Sequence, residues 1–246
     1  MKRKIMMFGM ASAMLTVLAG CGGGSGSISE ASEAEGLWKE GDGVAAMVTA
    51  SGVTTIVTGL AADVTSAPMY KGSVETNDTA VTGGSLKKMT PGGLSTNYDV
   101  VGETVEQGQS LVIKGEDAGS NTVTFNLTYN TDYDRSSSLG LLTGFWGTNA
   151  TTSLVVGSSG AVTNGYDSYT GCSITGQFSI INSSKNLYRV SLTLSNCAGY
   201  AGDFSGYATL ADEGGTGNVM LLAASGVVQT AKQVPFARVL TKAETP

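Results

Sequence analysis

The chain has 246 residues, 35 of them glycine, with twenty Asp and Glu against fourteen Lys and Arg and no histidine. Without imidazole, Ser-His-Asp and Cys-His nucleophile pairs, imidazole acid–base chemistry at neutral pH and nearly all zinc, copper and non-haem iron sites are excluded. The net charge is −6, and after Lys2-Arg3-Lys4 the only adjacent basic pair is Lys87-Lys88, so a nucleic-acid partner is excluded too, because phosphate contacts need clustered Lys and Arg.

Lys2-Arg3-Lys4 precedes an apolar run from Ile5 to Val17, the charged and apolar regions of a secretory signal. That run is shorter than the ~20 residues a helix needs to cross a bilayer. Leu18-Ala19-Gly20-Cys21 resembles the bacterial lipoprotein signal. The resemblance implies removal of residues 1–20 and acylation of Cys21 by diacylglycerol and a fatty acyl chain of the palmitate kind. Each buried acyl CH₂ contributes ~0.8 kcal/mol and two chains anchor stably, so such a protein is held on its membrane. Cleavage leaves eleven basic against twenty acidic residues, a net of −9. Gly22, where lipoproteins retained in the inner membrane typically carry Asp, implies the outer membrane in a host that has two. Residues 21–35 read as the acylated cysteine and a flexible tether, with Gly22 to Ser27 as its glycine–serine part and a coil reach of about 20 Å.

From Gly36 onward the chain reads as short alternating runs separated by turn residues. Val123, Phe125, Leu127 and Tyr129 alternate with Thr122, Thr124, Asn126 and Thr128. Tyr188, Val190, Leu192 and Leu194 alternate in the same way with Arg189, Ser191, Thr193 and Ser195, and Ile174, Phe178 and Ile180 make a third apolar face. Ser51-Gly52, Ser159-Gly160 and Asn164-Gly165 are turn signals. No later stretch holds a helical period for three turns, and the fold class is all-β. Gly36-Leu37-Trp38 and Gly144-Phe145-Trp146 stand 108 residues apart, as do Ser51-Gly52 and Ser159-Gly160; Ser110 to Lys114 pairs with Val219 to Ala223, and Val123-x-Phe125 with Val234-x-Phe236. This internal repeat predicts two duplicated antiparallel units, residues 36–130 and 144–240, joined by a linker at 131–143 and followed by a tail at 241–246. With seven or eight strands and short meander turns, each unit is a small up-and-down barrel or a sandwich. A transmembrane barrel needs longer strands and aromatic girdles that these runs lack.

With Cys21 acylated, Cys172 and Cys197 remain as an even pair in an oxidising compartment and read as one disulfide. Cys172 shares parity with Ile174, Phe178 and Ile180. A direct 172-to-197 register would set those apolar residues against Ser195, Ser191 and Arg189, so Cys197 is expected just beyond its strand or next to a bulge. Trp38 and Trp146 are expected to fill the core of each unit, with the indole N–H meeting a carbonyl. Asp132 and Asp134 lie in the linker and read as a solvated joint or local cap, not a catalytic pair. Ser85-Leu86-Lys87-Lys88 matches the S-x-x-K string of serine acyltransferases, but the Ser-Asp-Asn and Lys-Thr-Gly partners are missing. Gly22 to Gly26 has neither the preceding strand nor the following helix of a phosphate loop. Tyr166, Tyr169, Tyr200 and Tyr207 mark the place to look for a binding face.

The Gly-x-Trp openings, the stretch Tyr129-Asn130-Thr131-Asp132-Tyr133-Asp134 with Ser136 to Leu142, and the Cys172 to Cys197 segment resemble a group of repeat-containing, β-rich proteobacterial envelope lipoproteins of unassigned function. Together these readings predict a lipid-anchored outer-membrane protein, periplasmic or surface-facing. It is expected to be no enzyme, to use no cofactor and to act by binding an envelope or extracellular protein. The alternative is a lipocalin-like carrier of a small apolar ligand, and the two differ in whether the interior is filled or open.

Overall fold

A computed structural model describes residues 31–60, 66–147, 151–211 and 218–243. Cys21, the signal at 1–20 and the tether as far as residue 30 lie outside the described residues. The first eight strands are β1 (Gly36–Glu40), β2 (Val44–Val48), β3 (Val53–Thr58), β4 (Met69–Asn77), β5 (Ala80–Met89), β6 (Ser95–Glu106), β7 (Ser110–Asp117) and β8 (Thr122–Tyr129). The second eight are β9 (Gly144–Gly147), β10 (Thr152–Val156), β11 (Ala161–Asp167), β12 (Cys172–Ile180), β13 (Tyr188–Ser195), β14 (Gly202–Ala211), β15 (Val219–Val228) and β16 (Gln233–Lys242). Each set forms a closed barrel of sequential antiparallel neighbours. The molecule is therefore all-β with two duplicated antiparallel units, and of the two architectures the sequence left open, both units adopt the barrel.

The duplication extends to single hydrogen bonds. Trp38 and Trp146 are wholly buried, and each indole donates to the carbonyl four residues back, Trp38 to Ala34 at 2.9 Å and Trp146 to Leu142 at 2.6 Å. Gly52 (φ 76°) and Gly160 (φ 83°) close matching hairpins in the left-handed region that glycine tolerates. Their carbonyls accept matching bonds from strands further on, Val74 N–H to Gly52 at 2.9 Å and Phe178 N–H to Gly160 at 2.8 Å. The barrels close at related places, where Trp38 pairs with Tyr129 and Trp146 with Lys242.

Alternation puts the apolar side chains inside. In the first barrel Tyr70 and Phe125 meet edge to face at 5.0 Å, and burial together with Tyr98 pushes the Tyr70 hydroxyl up to about 12. In the second, Phe204 and Phe236 meet in the same manner at 6.0 Å, in one core with Phe178 and Tyr188. Polar residues such as Thr124, Asn126, Arg189 and Ser191 face outward. This is the reverse of a membrane-spanning barrel, whose apolar face meets lipid.

The strand register explains the cysteines. Ile174, Phe178 and Ile180 stand opposite Leu194, Val190 and Tyr188, apolar against apolar. That register leaves Cys197 two residues past the end of β13, beyond Asn196 at φ 59°, and still brings its Cα to 4.7 Å from that of Cys172 in the disulfide.

The outer walls of the two barrels pack on each other. Met47, Val57, Met69 and Met89 of the first are buried against Tyr207, Leu221, Ala223 and Ala237 of the second. Lys71 crosses this seam to the Ser205 carbonyl at 3.0 Å and the Ser225 hydroxyl at 3.3 Å, and burial lowers the pKa of its ammonium. Lys87 crosses to Gln233 at 2.8 Å. Tyr207 thus belongs to the seam and not to a tyrosine binding face.

Candidate functional site

Residues at two opposite ends of the molecule carry chemistry. At the first end the chain reaches the barrels. Residues 31–35, grouped by composition with the tether, are instead tied to the first barrel: Ser32 N–H donates to the Ala50 carbonyl at 2.8 Å, Glu33 N–H to the Thr76 hydroxyl at 3.1 Å, and Ala34 is buried under Trp38. The linker is likewise structured. Asn130 caps a single 3₁₀ turn at Thr131–Asp134, and α1 (Leu139–Leu142) follows as one helical turn capped by Ser138.

Tyr133 is buried at this joint and its hydroxyl donates to Glu35 at 2.6 Å, while Tyr129 donates to Asp134 at 3.0 Å. Lys185 pairs with Asp134 at 2.8 Å and lies 5.0 Å from the Tyr133 ring. Burial first, then the neighbouring carboxylates, push both tyrosine hydroxyls above their ordinary range. The Lys185 bond holds the Asp134 carboxyl below its own. Two clefts of about 470 and 400 Å³ share Glu35, Tyr133 and Lys185. The tyrosines stay protonated and their protons point at carboxylates, which makes them struts and not bases. Asp132 is held apart from Asp134: its carboxylate faces Arg135 at 3.8 Å.

The opposite end is a rim built from loops 90–94, 168–171, 196–201 and 229–232. The Tyr200 hydroxyl donates to the Pro91 carbonyl at 2.8 Å, linking the two barrels there. Beneath the rim, Arg238 points into the mouth of the second barrel and is nearly inaccessible to water. Its guanidinium grips Asp167 with two bonds, at 2.8 and 2.9 Å, and donates to Thr152 at 3.1 Å and the Ala237 carbonyl at 2.6 Å. It lies 4.3 Å from the Phe236 ring centre and 5.8 Å from that of Tyr169. Thr170 supplies N–H and hydroxyl bonds to the second carboxylate oxygen at 2.9 and 2.7 Å. Burial pushes the Asp167 carboxyl up, but Arg238 and the two threonine hydroxyls outweigh it, and the net shift is downward.

This network gives each guanidinium nitrogen of Arg238 a bonded partner. It plugs the barrel mouth and seats Tyr169, which is 53% exposed, on a fixed cation. The disulfide ties the loop that carries Tyr200 to the first residue of β12. Leu94, 75% exposed, and Val227, 59% exposed, stand on the same rim at the seam. Of the tyrosines marked from sequence, Tyr169 and Tyr200 belong to it, and Tyr166 is exposed on the adjoining wall.

Arg238 and Asp167 were not singled out from the sequence. A signal was present, because Arg238 continues the inward parity of Val234 and Phe236, and the repeat sets Phe236 against Phe125 and hence Arg238 against Leu127. Ser85 and Lys88 lie on β5, not at a helix start, and Lys88 is 5.8 Å from the Tyr70 ring. Among the described residues no group of three or more carboxylates or thiols gathers to hold a metal ion. Comparison with protein-family models, curated proteins and solved structures finds no match.

Proposed function

We propose that this chain is a lipoprotein anchored by acylated Cys21 to the outer membrane of a two-membrane host, where it acts as a non-enzymatic module that binds an envelope or extracellular protein through the rim. The observation that carries this reading is the filling of both barrels: Trp38, Trp146, Phe178, Tyr188, Phe204 and Phe236 all have under 2% of their surface exposed. A small-molecule carrier needs a cavity of roughly 300–1,000 Å³. Here the interior is taken up by the chain's own side chains, which speaks against the lipocalin-like alternative. Binding is favoured over catalysis by the lack of histidine and by an Arg238–Asp167 pair whose charged groups are turned on each other. The rim is favoured as the binding surface because it carries the exposed Leu94 and Tyr169 at the end of the barrels opposite residues 31–35.

Two measurements test the reading. Cys21→Ser is expected to abolish palmitate labelling and release the protein from membranes; retained labelling overturns the anchor. A photo-crosslinking residue at Tyr169 or Leu94 is expected to capture the same protein in the intact envelope, whereas one at Thr124 on the outer wall captures none. Stoichiometric recovery of an apolar small molecule from natively purified protein would replace the binding module with a carrier.

A further inference from the structure

The hairpin between β4 and β5 carries a feature used by neither the joint nor the rim. Within Glu75-Thr76-Asn77-Asp78-Thr79 lies Asn-x-Thr with no proline between, the acceptor pattern for N-glycosylation. Asn126-Leu127-Thr128 and Asn182-Ser183-Ser184 share the three-residue pattern among the described residues, and geometry separates the three. Asn126 sits within β8, opposite Val112 in a continuous ladder. Asn182 has its carboxamide oxygen occupied by the Ser184 N–H at 3.0 Å and hydroxyl at 2.8 Å, and its carbonyl by Ser137 at 3.0 Å.

Asn77 differs on each count. It is the last residue of β4, paired with Ala80 across a two-residue turn in which Asp78 has φ 52°. Glu75, Asn77, Asp78 and Thr79 are all exposed. Thr76 turns the other way to accept from Glu33, so Glu75 and Asn77 project on one outward face. Of the three, only Asn77 has a carboxylate two residues before it. An acid there gives a transferase a charged group to grip with arginine, the strongest kind of exposed polar contact.

We propose that Asn77 is glycosylated by a bacterial-type oligosaccharyltransferase that uses a polyprenyl-diphosphate-linked oligosaccharide. The Asn77 Nδ2 attacks the anomeric carbon; the C–N bond forms, the bond from that carbon to the diphosphate oxygen breaks, the lipid diphosphate leaves and the amide proton passes to a base of the transferase. This rests on the export proposed above. The hairpin lies at the end where the chain joins the barrels, beside the Ser32 to Glu33 strap, so a glycan there leaves the rim clear.

The test uses the full chain in a bacterium that carries such a transferase, its lipid-linked oligosaccharide and an exported control acceptor. The chain is expressed once with residues 1–20 and once with the control's signal in their place, so that export does not depend on the native signal. Tryptic peptide 72–87, read by mass spectrometry, is expected to carry the glycan on Asn77. Asn77→Gln and Thr79→Ala abolish it, and Glu75→Gln, which keeps the three-residue pattern and an exposed side chain, lowers occupancy about tenfold. A bare Asn77 in exported chain beside an occupied control overturns the proposal, as does equal occupancy of Asn126 or Asn182, or full occupancy in Glu75→Gln. Acylation of Cys21 is read in the same preparation: an unacylated but glycosylated chain defeats the anchor alone, and an acylated but bare one defeats this proposal alone.

Discussion

Replacing Arg238 with leucine takes the cation away from a carboxylate that water does not reach. Asp167 is wholly buried, and without the guanidinium it keeps only the bonds from Thr152 and Thr170. Breaking a buried pair by removing one partner costs about 3–5 kcal/mol, whereas replacing both partners with apolar groups is often neutral or better. For a domain of this size that single change lowers the melting temperature by roughly 10 °C. Leucine is also the residue that the first barrel carries at the matching place, Leu127. The double variant Arg238→Leu/Asp167→Leu is expected to regain at least about 2 kcal/mol of what the single one lost. The pH dependence has a definite sign. In the native protein the Asp167 carboxyl is held low, so its contribution is present above the ordinary value of about 3.9 and is lost as pH falls through the lower folded value. In Arg238→Leu burial acts without the cation, the folded value rises, and stability returns as pH falls through it. The gap between native protein and single variant, measured by urea unfolding, is therefore expected to narrow between pH 7 and about pH 4. Equal losses in the single and double variants, or a gap that does not change with pH, would refute the assignment of the cost to an unpaired buried charge.

Two further expectations concern the second barrel. Reducing the Cys172–Cys197 bond, which spans 25 residues, should lower stability by about 3.5 kcal/mol in the loop-entropy model, seen as a lower urea midpoint with strand circular dichroism retained; an unchanged midpoint contradicts it. Gly206→Ala would drive a Cβ into the Ala223 carbonyl on the neighbouring strand, so a loss of about 1–3 kcal/mol is expected, against under about 0.5 for Gly43→Ala, where nothing lies within 4 Å. Thermal melting of the two variants side by side checks this, and equal values contradict it.

Much of the fold was legible because its signals are local. Period-two alternation at Val123 to Tyr129 and Tyr188 to Leu194 identifies strands with one buried face, and the same parity argument left Cys197 either beyond its strand or next to a bulge, of which the structure has the first. What remained hidden depends on partners far along the chain. Asp167 and Arg238 are 71 residues apart, and only closure of the second barrel brings them together. The seam was hidden differently. Val44 to Val48 and Val53 to Thr58 are apolar or small on both parities, a pattern that fits strands buried on both faces, yet nothing in it says what covers the outer one. The joint was legible in part: Asp134 is exposed, as Asp132, Asp134 and three serines suggest, but composition does not reveal Tyr133 as the anchor, whose surroundings include Glu35 and Lys185 from distant segments.

The seam makes the duplication more than repetition. Met47, Met69 and Met89 would be exposed on a lone first barrel, and Leu221 and Ala223 on a lone second one, so each unit supplies the cover for the other's outer wall. Once joined, the repeats have diverged at matching positions. Where the first barrel has Leu127 the second has Arg238, and the disulfide and the Asp167 network stiffen the mouth of the second barrel alone. The first barrel instead receives the incoming chain through Ser32, Glu33 and Ala34. Rigidity is thus concentrated beneath Tyr169 and Tyr200, at the end away from the incoming chain. A rim held still before a partner arrives loses less side-chain freedom on binding, which gives the cost of burying Arg238 a physical return if this rim is the surface that binds.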